Sequence, residues 1–485
     1  MPLSLFERLF DFFFDSLGPI GWPKHARTSQ IPFSAITCPM ITIERRSFIK
    51  NGLAAGIALS AAPAILHAND DRPVRLGFIG IGGRGTGLLK TAMRLPHVAI
   101  KAVCDTHQPN LKAAQNLVVE TQGQKPEGYG DHEFSYLDLL KRDDLDGVVI
   151  ATPWELHIPM TIDAMKAGKY VATEVGPASS VDECWELVNT YEETRAPCML
   201  LENYCYFRYN MAVLNMVRQG LFGEVIHCTC GYGHDLRERI VLGKGTGPTP
   251  KGEGDYRSTH NQFRNGDLYP THGMGPIAQC LNIQRGNRFQ HLTSTASKSR
   301  GLSKWSKDNL EPGHKRRDIS WAQGDIVTTT LKCFNGETVV LTFDTRLPRP
   351  MSFMYQVQGT AGMWMQDGDS SSRNKSVIYL DGKSPHHQWE SFDSYQEEFE
   401  HPLWKSYLHE AETSGHGGTD FLELREFVSC IRNKTTTPID AYDAAAWMAI
   451  APLSEASIST GSSPIAFPDF TDGAWMTNKP IFGLV

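Results

Sequence analysis

Val74-Arg75-Leu76-Gly77-Phe78-Ile79-Gly80-Ile81-Gly82-Gly83-Arg84-Gly85 is the stretch whose reading decides the fold. An apolar run meets a glycine turn, and a helix-like segment follows. A second apolar run, Val98 to Val103, then ends in Asp105. The order is strand, glycine turn, helix, strand, acid. Gly80 allows the tight turn, Gly82 lets the backbone approach a pyrophosphate, and Gly85 lets the helix sit close to the strand. The helix N-terminus offers free N–H groups and the positive end of its dipole to phosphate. Asp105 follows Gly85 by twenty residues, where a carboxylate accepts both hydroxyls of an adenosine ribose and opposes a 2′-phosphate. The pattern predicts a Rossmann unit that binds NAD rather than NADP. A bound nicotinamide confines the chemistry to hydride transfer, or to reactions that borrow one.

The chain has 485 residues, 41% of them hydrophobic, enough for two cored domains. Its formal net charge of −7, with no long basic run, argues against a nucleic-acid partner. Ten cysteines are scattered without a paired framework. Cys228 and Cys230 fall on one face of a strand-like run and read as packing, since no second pair completes a metal site. Among the other histidines, His260, His401 and His416 have no metal-ligand spacing, and no catalytic metal is predicted.

Ile43-Glu44-Arg45-Arg46-Ser47-Phe48-Ile49-Lys50 is a twin-arginine pattern. A Gly/Ala-rich apolar stretch from Gly52 to Ala64 follows, too short to span a bilayer, then small residues at Ala62, Ala64 and Ala68. This predicts export to a bacterial periplasm with no stable membrane insertion after the signal is removed. Residues 1–39 are long and Phe/Pro-rich for such a signal, and Met40 is an alternative start. Twin-arginine export carries folded proteins, which suits a protein that must trap its NAD beforehand.

Residues 1–68 are thus read as extension and signal, and 72–202 as the NAD-binding domain, a doubly wound parallel α/β sheet. Within it, strands are predicted at 145–151, 170–174 and 198–201, and helices at 158–166 and 181–194. Residues 203–419 are read as an α+β domain for substrate and oligomerisation, with a large, open, mainly antiparallel sheet. Its strands fall near 225–230, 325–333, 338–342 and 353–359, after a helix at 213–219. Segment 240–267 lacks periodicity and is read as a functional loop. Residues 420–485 are read as helical, with helices at 420–432 and 443–460 packing back on the first domain.

Thr152-Pro153-Trp154 through His157, Ala167-Gly168-Lys169-Tyr170-Val171, and Glu174 resemble the Gfo/Idh/MocA oxidoreductases. More specific blocks are Glu202-Asn203-Tyr204-Cys205-Tyr206, Gly231-Tyr232-Gly233-His234-Asp235-Leu236-Arg237, and Asn265-Gly266-Asp267-Leu268-Tyr269-Pro270-Thr271-His272-Gly273. These resemble glycoside hydrolase family 109, whose members are NAD-dependent α-N-acetylgalactosaminidases. Simple dehydrogenases of the superfamily follow the strand-end Glu with Lys-Pro. Here the segment is Glu174-Val175-Gly176-Pro177, as in family 109. Met351 departs from the family, which tends to carry an aromatic there against the sugar, so the chemistry is better marked than the substrate.

The resemblance implies a route unlike that of paired-carboxylate glycosidases. NAD⁺ takes a hydride from C3 of the sugar, the ketone acidifies the C2 proton, and loss of that proton expels the aglycone. Water then adds, and the hydride returns. The protein must supply a base at O3, an acid/base at C2, and NAD retention.

His272 is expected as the base at O3, since imidazole titrates near neutral pH. Tyr269, three residues earlier, shares its face if the block is a helical turn. Tyr232 is the candidate for proton transfer at C2 or for holding the sugar, with a core aromatic as the alternative. Glu202, ending a buried strand, is expected to polarise a catalytic neighbour. Arg257 is expected on sugar hydroxyls or the acetamide, with a solvated loop arginine nearly as good a reading. Pro270 and Thr271 complete the expected substrate set.

For the cofactor, Gly80, Gly82, Gly83, Arg84 and Gly85 are expected at the phosphates or ribose, with Gly83 and Arg84 touching them, and Asp105 at the adenosine ribose. Trp154, Glu155, Leu156 and His157 are expected at the nicotinamide side, Glu174 and Val175 further along, and Asn203 at the carboxamide or ribose. The competing readings are an NAD-dependent sugar dehydrogenase and a catalytically idle sugar-binding protein. By analogy with the superfamily, a homo-oligomer is expected.

Overall fold

A computed structural model describes residues 72–243, 256–366, 376–412 and 414–484. The twin-arginine stretch and residues 1–39 lie outside the described residues.

The first sheet has six parallel strands. They are β1 (Val74–Ile79), β2 (Val98–Cys104), β3 (Glu127–Tyr129), β4 (Gly147–Ile150), β5 (Tyr170–Glu174) and β6 (Cys198–Leu201), in spatial order β3-β2-β1-β4-β5-β6. Helices cover both faces, so β4 and β6 are buried along their whole length, as a parallel sheet requires. The order reverses between β1 and β4. At that switch point the loops leaving the two strands diverge and open a crevice.

The second sheet has nine strands. β7 (Val225–Gly233), β8 (Phe289–Ala296), β9 (Ile326–Cys333), β10 (Thr338–Asp344), β11 (Gln356–Gly359), β12 (Gly362–Gln366), β13 (Ser376–Leu380), β14 (Glu390–Ser391) and β15 (Ile465–Ala466) run in the order β14-β13-β12-β11-β7-β10-β9-β8-β15. β7 and β10 pair parallel, and every other pairing is antiparallel. Alternation is clean. Val357, Trp364 and Ile378 are buried, whereas their neighbours Gln358, Met363 and Tyr379 sit on the other face. Cys228 and Cys230 are buried on the inward face of β7.

The helix Pro270–Cys280 is buried at every residue and lies against β7. A Cβ on Gly273 would stand 2.9 Å from the Gly231 nitrogen, so only glycine permits this approach. In the C-terminal segment, Thr419–Asn433 packs on the glycine-turn helix Gly83–Ala92, and Ala441–Met448 packs on Val181–Thr194. The same segment also gives β15 to the second sheet.

Two expectations are corrected. The stretch 443–460 is two helices, Ala441–Met448 and Ile450–Ser459. Pro452 has no N–H to offer the Met448 carbonyl, which accepts from the Ala178 N–H instead at 3.2 Å. Segment 240–267 is not all loop: Tyr256–Phe263 is a helix, and it carries Arg257 to the site. Among the described residues no helix is long and apolar enough to cross a membrane.

Candidate active site

The glycine turn is built by three distinct demands. Gly80 has φ +85°, and a Cβ there would lie 2.7 Å from the Ala151 carbonyl. Gly85 would place a Cβ 1.9 Å from the Gly80 oxygen, so it seats the helix on the strand. A Cβ on Gly82 would meet nothing within 4 Å, because it faces the open crevice. Gly82 caps the helix Gly83–Ala92 without a side-chain hydrogen bond, and no acid occupies its first turn. Its N-terminal N–H groups are therefore left for an anion. Asp105 accepts from the Ile81 N–H at 2.7 Å and the His107 N–H at 2.8 Å, which ties the end of β2 to the turn. This cradle fits a dinucleotide.

A continuous cleft of about 1210 Å³ starts at this cradle and ends among aromatic residues of the second sheet. Single-ligand sites typically span ~300–1,000 Å³, so there is room for a dinucleotide and a sugar together. Gly80, Gly82, Gly83, Arg84, Asp105, Trp154, Leu156, His157, Glu174, Val175 and Asn203 all line it. Gly85 and Glu155 do not. Gly85 packs beneath the turn, and Glu155 turns outward to His260 at 3.2 Å. His157 binds the Thr152 carbonyl through Nε2 at 2.8 Å. Burial pulls its pKa down to about 4, so it is a neutral wall.

Arg84, expected to touch phosphate or ribose, lines the cleft as part of an ion-pair cluster. Its guanidinium is held by Glu174 at 2.6 Å, Asp420 at 2.7 Å and Glu423 at 3.2 Å. Burial raises the Glu174 and Glu423 carboxyls above the usual range. Burial acts the same way on Asp420, but Arg84 and His416 outweigh it and hold that carboxyl far below the usual range. Asn203 donates to Asp420 at 3.1 Å. The cluster joins the glycine-turn helix to the C-terminal helix.

At the other end stands His272. Its Nδ1 lies 2.8 Å from Glu202 Oε1, and its ring stacks on Tyr204 with centroids 3.8 Å apart. Glu202 is fully buried behind the histidine and does not reach the cleft. With Nδ1 committed, Nε2 is the nitrogen left for chemistry. Tyr269 and Tyr232 stack at 4.9 Å, and their centroids lie 4.7 Å and 5.1 Å from that of His272. Burial pushes both phenols up, and Arg257 only partly offsets this. Arg257 lies over Trp154 at 4.6 Å and over Tyr269 at 5.5 Å, inside the site rather than in solvent.

Tyr269 is not on the helical turn expected of it. It precedes the helix, with φ −149°, although its ring still reaches His272. Pro270 and Thr271 do not line the cleft. They open the helix on its buried side, and Thr271 has no exposed surface. Both are corrected from substrate contacts to packing.

Sequence reasoning missed Tyr204, His234, Arg239 and Tyr256, which all line the cleft. It also missed Gly415-His416-Gly417-Gly418. His416 has φ +50°, Gly417 +68° and Gly418 +102°, a conformation that only a glycine-rich stretch sustains. Gly415 and His416 line the cleft, and His416 Nδ1 lies 2.9 Å from Asp420. The glycine spacing was the available signal. It carried no period and no metal pattern.

Residues 74–201 match the oxidoreductase family with an NAD-binding Rossmann fold, and residues 206–477 match the C-terminal domain of glycosyl hydrolase 109. The chain is 42% identical to a glycosyl hydrolase family 109 protein of Parabacteroides distasonis, over 91% of this chain and 99% of that protein. It is 41% identical to an alpha-N-acetylgalactosaminidase of Tannerella forsythia, over the same shares. Among solved structures, a levoglucosan dehydrogenase with NADH and levoglucosan shares the fold with a TM-score of 0.59 at 15% identity, covering 82% of this chain and 100% of that one. An NAD-binding oxidoreductase from Klebsiella pneumoniae does so with a TM-score of 0.60 at 17% identity and the same coverage. The chain belongs to glycosyl hydrolase family 109 and is a glycoside hydrolase with an NAD-binding Rossmann domain.

Proposed function

We propose that this enzyme cleaves α-N-acetylgalactosaminides by transient oxidation and re-reduction of the sugar, with NAD retained throughout. The observation that carries this reading is the lack of a free carboxylate pair at the sugar end of the cleft. Among the described residues there, Glu202 is buried behind His272, and Glu174 and Asp420 are both spent on Arg84. A two-carboxylate mechanism has nothing to work with. The α-N-acetylgalactosaminidase of T. forsythia supports the choice of sugar.

Gly80, Gly82, Gly83 and Asp105 hold the dinucleotide. When bound, NAD supplies a reversible two-electron oxidation at C3 of the sugar, which makes the C2 proton acidic. His272 takes the O3 proton on Nε2, and Glu202 stabilises the imidazolium through Nδ1. The Tyr204 stack fixes the plane of the ring. Tyr232 stays protonated, because burial pushes its phenol up, and it therefore holds sugar oxygens as a donor. We assign the C2 proton to His416, oriented by Asp420 as His272 is by Glu202. Loss of that proton expels the glycosidic oxygen from C1, and water takes its place. Arg257, backed by Trp154 and Tyr269, takes the acetamide carbonyl. Val175 fills the place where the dehydrogenases carry a lysine, so no ammonium is available there for simple alcohol oxidation.

The test is incubation of purified enzyme with nitrophenyl α-N-acetylgalactosaminide. Release of nitrophenol without net NADH is expected. Steady NADH accumulation with intact glycoside would overturn the reading in favour of a dehydrogenase. We also propose export through the twin-arginine pathway. Loss of periplasmic protein on Arg45→Lys/Arg46→Lys supports it, and unchanged fractionation removes it.

A further inference from the structure

Residues 202–206 serve both histidines of the proposed reaction. Glu202 Oε1 stands 2.8 Å from His272 Nδ1 and accepts from the Tyr204 N–H at 3.1 Å. The oxygen behind His272 is thus fixed by the same single 3₁₀ turn, Asn203–Tyr206, that lays the Tyr204 ring on the imidazole. Asn203 donates to Asp420, which holds His416. So short a turn, with 3₁₀ hydrogen-bond geometry, has little stiffness of its own. What packs behind it decides where Glu202, Asn203 and Tyr204 stand.

Tyr206 is the rear of the turn. Its carbonyl accepts from Trp404 Nε1 at 2.9 Å, while Asn210 holds the Tyr204 carbonyl at 2.9 Å. Its ring is buried edge-on against Phe482, with centroids 5.1 Å apart and an interplanar angle of 75°. The Tyr206 hydroxyl makes no hydrogen bond among the described residues, so packing alone seats the ring.

Phe482 is delivered to this contact by polar ties. Its carbonyl accepts from Arg218 at 2.7 Å, and the Gly483 carbonyl accepts from Arg218 at 3.0 Å. His401 Nε2 lies 3.1 Å from the same Gly483 oxygen. Gly483 has φ +59°, which favours glycine. Arg218 ends the helix Arg208–Arg218, which begins two residues after Tyr206. The turn, the helix and the Phe482 segment therefore form a closed brace. Burial of an apolar ring has no direction of its own. Ties on two adjacent carbonyls fix where this ring enters. Phe482 does not line the cleft, so it reaches the reaction only through Tyr206.

We propose that Phe482 is a positioning residue for the cleavage reaction: wedged behind Tyr206, it sets the Glu202–His272 and Asn203–Asp420 contacts. The proposal rests on the reading of His272 and His416 as the proton-transfer groups. A misplacement of ~1 Å at such groups can cost ~10²-fold in rate. The sugar and the dinucleotide are held elsewhere, by Arg257 and the glycine turn, so binding is spared. The experiment compares full-length wild type, Phe482→Ala, Phe482→Leu and Arg218→Gln. It measures kcat and KM on nitrophenyl α-N-acetylgalactosaminide well below the lowest Tm, with bound NAD per chain and thermal melts. Phe482→Ala is expected to lower kcat by about tenfold or more, with KM within about threefold and NAD content unchanged. Phe482→Leu refills most of the space and is expected to recover kcat to within about threefold of wild type. Arg218→Gln frees the Phe482 segment without opening a cavity at Tyr206, and serves should Phe482→Ala fail to fold. It is expected to lower kcat by about fivefold or more at unchanged KM. Turnover within about twofold of wild type in the folded variants overturns the proposal. So does a loss of activity that only matches a loss of NAD or of folded protein. The wild-type assay alone, through nitrophenol release without net NADH, checks the reading of the reaction, so the two failures are distinguishable.

Discussion

Glu202 stands directly behind His272, with Oε1 2.8 Å from Nδ1 and no surface of its own. Its second oxygen has no partner among the described residues, and a buried carboxylate left so is costly unless a charge develops beside it. The imidazolium formed during turnover is that charge. Glu202→Gln keeps the shape and removes the charge. It is expected to lower kcat by about 10²-fold or more with KM within about threefold, because the lost interaction belongs to the transition state. Steady-state kinetics on protein with its NAD content verified checks this. A kcat within threefold of wild type would remove Glu202 from the mechanism.

Tyr204 acts through its face. Aromatic stacking contributes ~0.5–1.5 kcal/mol beyond burial, which corresponds to roughly 2–10-fold in rate if it is lost at the reacting ring. Tyr204→Phe is therefore expected to leave kcat within about threefold, and Tyr204→Leu to lower it by about tenfold. Equal effects of the two variants would show that the hydroxyl matters rather than the stack.

The glycines of the turn separate stability from cofactor binding. Gly85→Ala drives a Cβ into the Gly80 carbonyl and is expected to lower Tm by about 5 °C or more. Gly82→Ala meets open space and is expected to leave the Tm of NAD-free protein unchanged while reducing the NAD that survives dialysis. Thermal melts and chromatographic quantitation of released dinucleotide distinguish them. Full NAD retention by Gly82→Ala would contradict the cradle.

Asp105 is already held by two backbone N–H groups, so its place at the end of β2 is fixed before any ligand arrives. The two contacts fall on different oxygens, so Asp105→Asn keeps only one of them, and it removes the charge that repels a 2′-phosphate. The expected outcome is a gain of about tenfold or more in NADP binding relative to NAD after cofactor exchange. An unaltered preference would place the adenosine ribose elsewhere.

Asp267 predicts a pH effect on stability. Burial pushes its carboxyl up to about 7, and the Tyr269 N–H and Arg346 only partly oppose this. The unfolded carboxyl titrates near 3.9. Between these values the folded state binds the extra proton, so this group costs stability as pH rises from about 4 to about 7. Above pH 7 the cost is constant. Asp267→Asn is expected to raise Tm by several degrees at pH 8, with the difference shrinking towards zero at pH 4. A difference independent of pH would show that the carboxyl is not titrating in that window.

Local rules were sufficient for the first sheet. Tyr170–Glu174, Val181–Thr194 and Cys198–Leu201 have the bounds read from the sequence, because each is a short, strongly patterned element between Gly, Pro or a cap. The site was legible where one block placed its residues on one side of a turn, as with Tyr269 and His272. It was not legible where partners come from distant parts of the chain. Nothing in Gly80 to Gly85 announces that Arg84 will be taken up by Asp420 and Glu423, more than three hundred residues later. Pro270 and Thr271 were misread because a shared block was taken as a shared surface, whereas a helix turns its intervening residues away from the ligand.

Arg84 meets Asp420 and Glu423, and Ile465–Ala466 closes the edge of the second sheet. Both halves of the molecule thus depend on the last few dozen residues. A chain cut before Gly415 therefore loses one wall of the cleft, contributed by His416 and Asp420, together with two of the three carboxylates that hold Arg84.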